Sequence, residues 1–245
     1  MEVPYTKMNK KIESPNDCFL LDSGKIFLWG DIEEETARNF VRSIRYIAKK
    51  NIKEINIYIH SSGGDVDAAC AIIDEIIGFS TLGFTINTIA IGKCYSAAAY
   101  ILSFGTNRYA TENSTIMLHP ILFDLDIDYI DAQRSYTEFT NRKYKEIISR
   151  VAKNCGHRSK RSIENFMSSI KDGLWMSPTD SIEFGLVDDI WEYSIDETNN
   201  GKHSQRSVQK NASKMAFNRC FNGRHFGYAP TSAEIFARIP TRIAR

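Results

Sequence analysis

Apolar positions along this chain recur with two spacings that alternate. In residues 54–60, Ile55, Ile57 and Ile59 alternate with Asn56 and Tyr58, the period of a strand. Residues 84–91 are almost continuously apolar, as a strand covered on both faces would be. Between them Ala68, Ala69, Ile72, Ile73, Ile76 and Ile77 fall on one helical face. An earlier helix carries Ala37, Phe40, Val41, Ile44, Ile47 and Ala48, with Glu33–Glu35 in its first turn and Lys49 and Lys50 at its last. Asp31 and Glu34 have capping-box spacing at its start. Short strands are predicted over 19–21 and 25–29, around the turn Asp22-Ser23-Gly24, and over 108–110 and 115–119. A small-residue helix is predicted over 96–104. Asp128 opens a long helix with Tyr129, Tyr136, Phe139, Tyr144, Ile147, Ile148 and Val151 on its apolar side, ending at Asn154-Cys155-Gly156. Helices over 162–170 and 177–184 and a strand over 186–191 complete the pattern. Strand and helix in alternation predict an α/β fold with parallel pairing and right-handed crossovers.

The periodicity stops after Tyr193, which divides the chain into a polar segment 1–18, a globular domain 19–193 and a tail 194–245. The tail is rich in Ser, Asn, Gln, Lys and Arg and is expected to be disordered or loosely attached. Residues 201–245 hold nine Lys and Arg against one acid, Glu234, although the 245-residue chain has a net charge of only +1. Phe217, Phe221, Phe226 and Tyr228 interleave with those charges. No RNA- or DNA-binding motif accompanies them, so nucleic acid is not an expected partner. No apolar run is long enough to span a membrane, and the first residues have no signal-peptide core. Five scattered cysteines without C-x-x-C spacing predict reduced thiols, a cytoplasmic or organelle-stroma setting, and no structural zinc.

Three places could carry chemistry. Ser61-Ser62-Gly63-Gly64 joins a strand to a helix, so its backbone N–H groups could cradle a phosphate or an oxyanion. The dinucleotide fingerprint and the P-loop are both absent, which favours the oxyanion and predicts no cofactor. Ser96 stands at the next strand-to-helix junction, crowded only by Ala97, Ala98 and Ala99. It resembles a nucleophile elbow in logic, without the G-x-S-x-G sequence. His119 ends an apolar strand, where an imidazole beside an exposed serine would be a general base. Taken singly, each has a plainer reading: a tight turn, an N-cap serine, a hydrogen-bonded strand-end histidine. Asp124, Asp126 and Asp128 lack the glycine and glutamate of a calcium loop, and Cys155 with His157 has no second pair, so no metal site is expected.

Taken together and in order, five segments resemble the Clp protease proteolytic subunit family. They are residues 24–32 (GKIFLWGDI), 57–66 (IYIHSSGGDV), 92–98 (GKCYSAA), 114–120 (STIMLHP), and 175–178 (WMSP) with 184–188 (FGLVD). The resemblance spans about residues 19–192. It implies repeated β-β-α units of the ClpP/crotonase fold, a protruding handle helix over 128–153, and a Ser-His-Asp endopeptidase. Ser96 would be the nucleophile and His119 the base, with the N–H groups of Gly64 and Ala97 as the oxyanion hole. It also implies a heptameric or double-heptameric ring that receives unfolded polypeptides from an AAA+ ATPase. Several motif positions differ. His60-Ser61-Ser62 replaces N-S-P, and residues 121–126 (ILFDLD) replace a glycine-rich strand. The place of the triad acid, two residues before Trp175, is Gly173. Asp172, Asp180 and Asp188 are the remaining candidates, and Asp172, adjacent to that place, is the expected one. A non-catalytic or weakly active ring subunit, a phage-type head-maturation protease and a crotonase-like acyl-CoA enzyme are the competing readings.

Overall fold

The computed structural model describes residues 20–121 and 130–193. Seven strands form one sheet: β1 (Lys25–Trp29), β2 (Glu54–Ser61), β3 (Thr85–Tyr95), β4 (Asn107–Ala110), β5 (Thr115–Leu118), β6 (Leu174–Met176) and β7 (Asp189–Ile190). The main order is β1-β2-β3-β4-β7, all pairs parallel, while β5 runs parallel beside β3 and antiparallel beside β6. The helices that connect them are α1 (Glu34–Lys49), α2 (Val66–Thr81), α3 (Ala97–Leu102), α4 (Ile130–Asn154), α5 (Lys160–Ser169) and α6 (Pro178–Glu183). The result is a mixed α/β fold with a mostly parallel sheet, consistent with the ClpP/crotonase fold.

β2 and the first half of β3 are buried along nearly their whole length, as central strands with neighbours on both sides are. β1 alternates buried and exposed residues, as an edge strand does. In the buried centre, Asn56, Asn87 and Asn107 stand in register on three strands. The Asn87 amide donates to Asn56 Oδ1 at 2.8 Å and to Glu54 Oε1 at 2.9 Å, and Asn107 donates to Asn87 Oδ1 at 2.8 Å.

β3 positions the site. Its first half pairs with β4 and its second half with β5. The change of partner falls at a bulge: Ile59 pairs with Ala90, but Ser61 pairs with Cys94. Gly92 lies in that bulge, with the His60 ring packed against it. The strand bends there and continues to Tyr95, beyond residue 91 where the apolar run stops.

Other expectations are corrected. Residues 20–22 are helical rather than extended. Asp31 and Glu34 form no capping box: Glu33 is the N-cap, without a side-chain cap bond, and the Asp31 carbonyl accepts the Thr36 hydroxyl at 2.8 Å. β6 was not foreseen, and the last strand is only Asp189–Ile190. The stop of α4 is as expected, Gly156 having a φ of 91°. The start of the long helix at Asp128, residues 122–126, residues 1–19 and the basic tail lie outside the described residues.

Candidate active site

Ser96 has φ 55° and ψ −123°, between the end of β3 and the start of α3. Among the described residues only it and Asn51 combine a side chain with positive φ. Asn51 follows the end of α1, in a setting asparagine tolerates. A serine has no such tolerance, so its backbone there is strained. The surroundings enforce it. The Ser96 N–H donates to Met117 O at 2.8 Å, and Tyr100 N–H donates to Ser96 O at 3.1 Å. The half-buried Ser96 side chain makes no capping bond, so its hydroxyl is not spent on the helix end.

The glycine turn is built against this serine. A Cβ on Gly63 would stand 2.8 Å from Ser96 Cβ and 3.1 Å from Ala97 N, and one on Gly64 would stand 2.3 Å from Ile32 O. Both glycines have positive φ, 98° and 148°. Each is therefore required by contact with fixed backbone. Ile32 N–H donates to Gly63 O at 2.9 Å and Asp65 N–H to Ile32 O at 2.7 Å, which leaves the intervening Gly64 N–H outside that bridge. The Ala97 N–H belongs to the first turn of α3 and has no intrahelical acceptor. Buried Ser61 braces the turn, its Oγ accepting the Gly63 N–H at 3.0 Å. Lys93 Nζ donates to Ser62 Oγ at 2.8 Å across the two strand ends. Neither brace was foreseen.

His119 follows β5, whose parallel register with β3 pairs Tyr95 with Met117. Ser96 and His119 thus sit at the carboxyl ends of adjacent parallel strands, where α/β sheets bind ligands. The His119 ring Nδ1 lies 2.6 Å from Pro120 O. The His119 carbonyl accepts the hydroxyl of buried Tyr100. Tyr100 is the residue that the sequence reading missed. Its signal was present, because a tyrosine in an otherwise apolar helix must find its hydroxyl a partner.

The three candidate acids lie in different surroundings. Asp180 Oδ2 accepts from Ser177 N at 3.0 Å and from Ser177 Oγ at 2.6 Å, closing a capping box at α6. Those bonds, the side-chain one foremost, hold its carboxyl below the usual range. Asp188 pairs with Arg108 at 2.6 Å, and Arg108 also donates to the Asn154 and Gly185 carbonyls. Asp172 is exposed in the turn after α5 and has no hydrogen bond to His119. The β5–β6 ladder pairs Leu118 with Leu174, and its next step would set His119 opposite Gly173.

The remaining polar candidates are structural. His60 Nδ1 is 2.9 Å from Ile91 O, and its ring stacks on Trp29 with centroids 4.1 Å apart. Burial pushes the Cys94 thiol up and that of Cys155 up to about 12, so neither is a thiolate nucleophile. Among the described residues no His, Cys, Asp and Glu group could hold a metal ion, and no helix is long and apolar enough to cross a membrane.

The family model for Clp protease matches residues 11–194. The chain belongs to the Clp protease family, whose members are serine peptidases that form oligomeric rings and act on proteins.

Proposed function

We propose that this chain is a serine endopeptidase in which Ser96 attacks the peptide carbonyl and His119 takes its proton. The Gly64 and Ala97 N–H groups receive the developing oxyanion. The observation that carries this reading is the Ser96 backbone, held at positive φ beside the glycine turn with a hydroxyl that does not cap α3. Attack by Oγ forms the tetrahedral intermediate. Its collapse breaks the C–N bond as His119 returns the proton to the leaving amine, and water then hydrolyses the acyl-enzyme.

Asp180 and Asp188 are bonded elsewhere, and Asp172, the acid that motif spacing leaves for the third place, is exposed without a hydrogen bond to His119. Gly173, one step beyond the Leu118–Leu174 pair where it would face His119, favours a second reading, a weakly active or non-catalytic ring subunit. A fluorophosphonate separates the two: covalent labelling at Ser96, abolished by Ser96→Ala, is expected of the enzyme, and an unlabelled folded assembly supports the second.

The wider reading is a ring whose chamber degrades unfolded polypeptides passed on by an AAA+ ATPase, with α4 as the inter-ring handle. Exposed Phe139 on α4 supports a contact there. Light scattering that gives a stable monomer at micromolar concentration would remove the ring. Affinity capture that recovers no ATPase would favour a protease that works without one.

A further inference from the structure

We propose that His119 is held for catalysis by the main chain and by Tyr100, acting as a positioning residue, and not by a carboxylate. The inference rests on the Ser96–His119 reading above. The first hold is the 2.6 Å contact between His119 Nδ1 and Pro120 O. A carbonyl oxygen only accepts, so this contact places the proton on Nδ1 and leaves Nε2 with the lone pair that takes the Ser96 proton. Proline fixes its own φ, which limits where that carbonyl can swing.

The second hold is Tyr100. Its hydroxyl donates to the His119 carbonyl, and its N–H donates to the Ser96 carbonyl at 3.1 Å. One residue, one helical turn beyond the nucleophile, thereby ties the backbones of nucleophile and base together. Tyr100 is only 2% exposed, and burial pushes its phenol up, so it stays a donor over the working pH range. No acid competes for the role among the described residues: Asp180 and Asp188 are engaged elsewhere, Asp172 is exposed, and Gly173 has no side chain to offer.

During acylation the Ser96 proton passes to Nε2 as Oγ bonds the carbonyl carbon and the carbonyl electron pair moves to oxygen. The Nδ1 proton stays in its bond to Pro120 throughout. A neutral carbonyl keeps the correct tautomer but stabilises the imidazolium less than a carboxylate would, so turnover is modest.

The test uses the full-length assembled protein, a fluorogenic peptide and a fluorophosphonate. Tyr100→Phe keeps the ring in the core. It should lower kcat and the Ser96 labelling rate about ten- to a hundredfold with KM unchanged, while Asp172→Asn stays within about twofold of the parent. Unchanged kcat in Tyr100→Phe, or an Asp172→Asn as impaired as His119→Ala, overturns the proposal. Nitrogen-15 spectra of labelled histidine in the unmodified protein give a readout independent of any variant's folding. A protonated Nδ1 on His119 supports the hold and a protonated Nε2 overturns it. A protonated Nδ1 in a chain whose Ser96 is never labelled overturns the nucleophile reading itself, and the catalytic use of the hold falls with it.

Discussion

The Cβ that Gly63 lacks would stand 2.8 Å from the Cβ of Ser96 and equally close to the Tyr95 carbonyl. The turn and Ser96 are therefore one packed unit. Gly63→Ala must push the strand-to-helix junction away and should abolish Ser96 labelling in a protein that still folds. Gly78→Ala, in α2 with nothing within 4 Å of the added methyl, is the control. It should keep activity and gain about 0.5–1 kcal/mol in a denaturant melt. Full labelling in Gly63→Ala would detach the turn from the site.

The strain at Ser96 has a measurable counterpart. Replacing a side chain at positive φ by glycine relieves on the order of 1–2 kcal/mol, part of which returns as chain entropy. Ser96→Gly should therefore be inactive and slightly more stable than the parent, and Ser96→Ala inactive without that gain. A Ser96→Gly protein clearly less stable than Ser96→Ala would show that the backbone there is unstrained.

These two variants touch features that differ in how legible they were in the sequence. Periodicity located β2, α2 and β3, because a strand buried on both faces and a helix with one apolar face leave plain patterns in Ile and Ala. The spacing of Gly63-Gly64, Ser96 and His119 marked three segments that the sheet brings together at the ends of β2, β3 and β5. The bend in β3 was hidden, because it comes from a change of pairing partner between Ala90 and Cys94, a property of the neighbours rather than of the strand. β6 was hidden for the same reason: three residues become a strand only because Ile116, Met117 and Leu118 lie alongside. The braces Ser61 and Lys93 were hidden because each acts across a turn or on a residue distant in sequence, while at Tyr100 the need of a buried hydroxyl for a partner was legible and the partner, His119, was not. At Asp31 the local capping pattern lost to a tertiary one, since the adjacent Ile32 is committed to Gly63 and Asp65.

The asparagine row in the sheet centre should be a weak point when broken singly. Asn87 bonds both Asn56 and Asn107, and its amide is buried. Asn87→Ala leaves the buried Asn56 and the half-buried Asn107 each short of a partner, and such a group costs about 1–3 kcal/mol. A denaturant melt should show a loss of a few kcal/mol with the slope unchanged. A loss under about 1 kcal/mol would mean that the neighbours find other partners.

His157 supplies a pH test. Its ring is half-buried against Phe166 and Phe184, with centroids 5.4 and 6.0 Å away. Burial holds its pKa below the usual imidazole value. A group depressed in the folded state adds stability that is complete above the unfolded pKa, about 6.5, and is lost as pH falls through the lower folded value. The sign follows because the unfolded chain takes up the proton first. The parent should thus lose stability on acidification below about pH 6.5. His157→Phe, which keeps an aromatic ring in that pocket, should flatten this part of the profile. Melts of the two proteins at a series of pH values between neutrality and the carboxylate range make the comparison. Parallel profiles would assign the loss to other groups and leave His157 as packing alone.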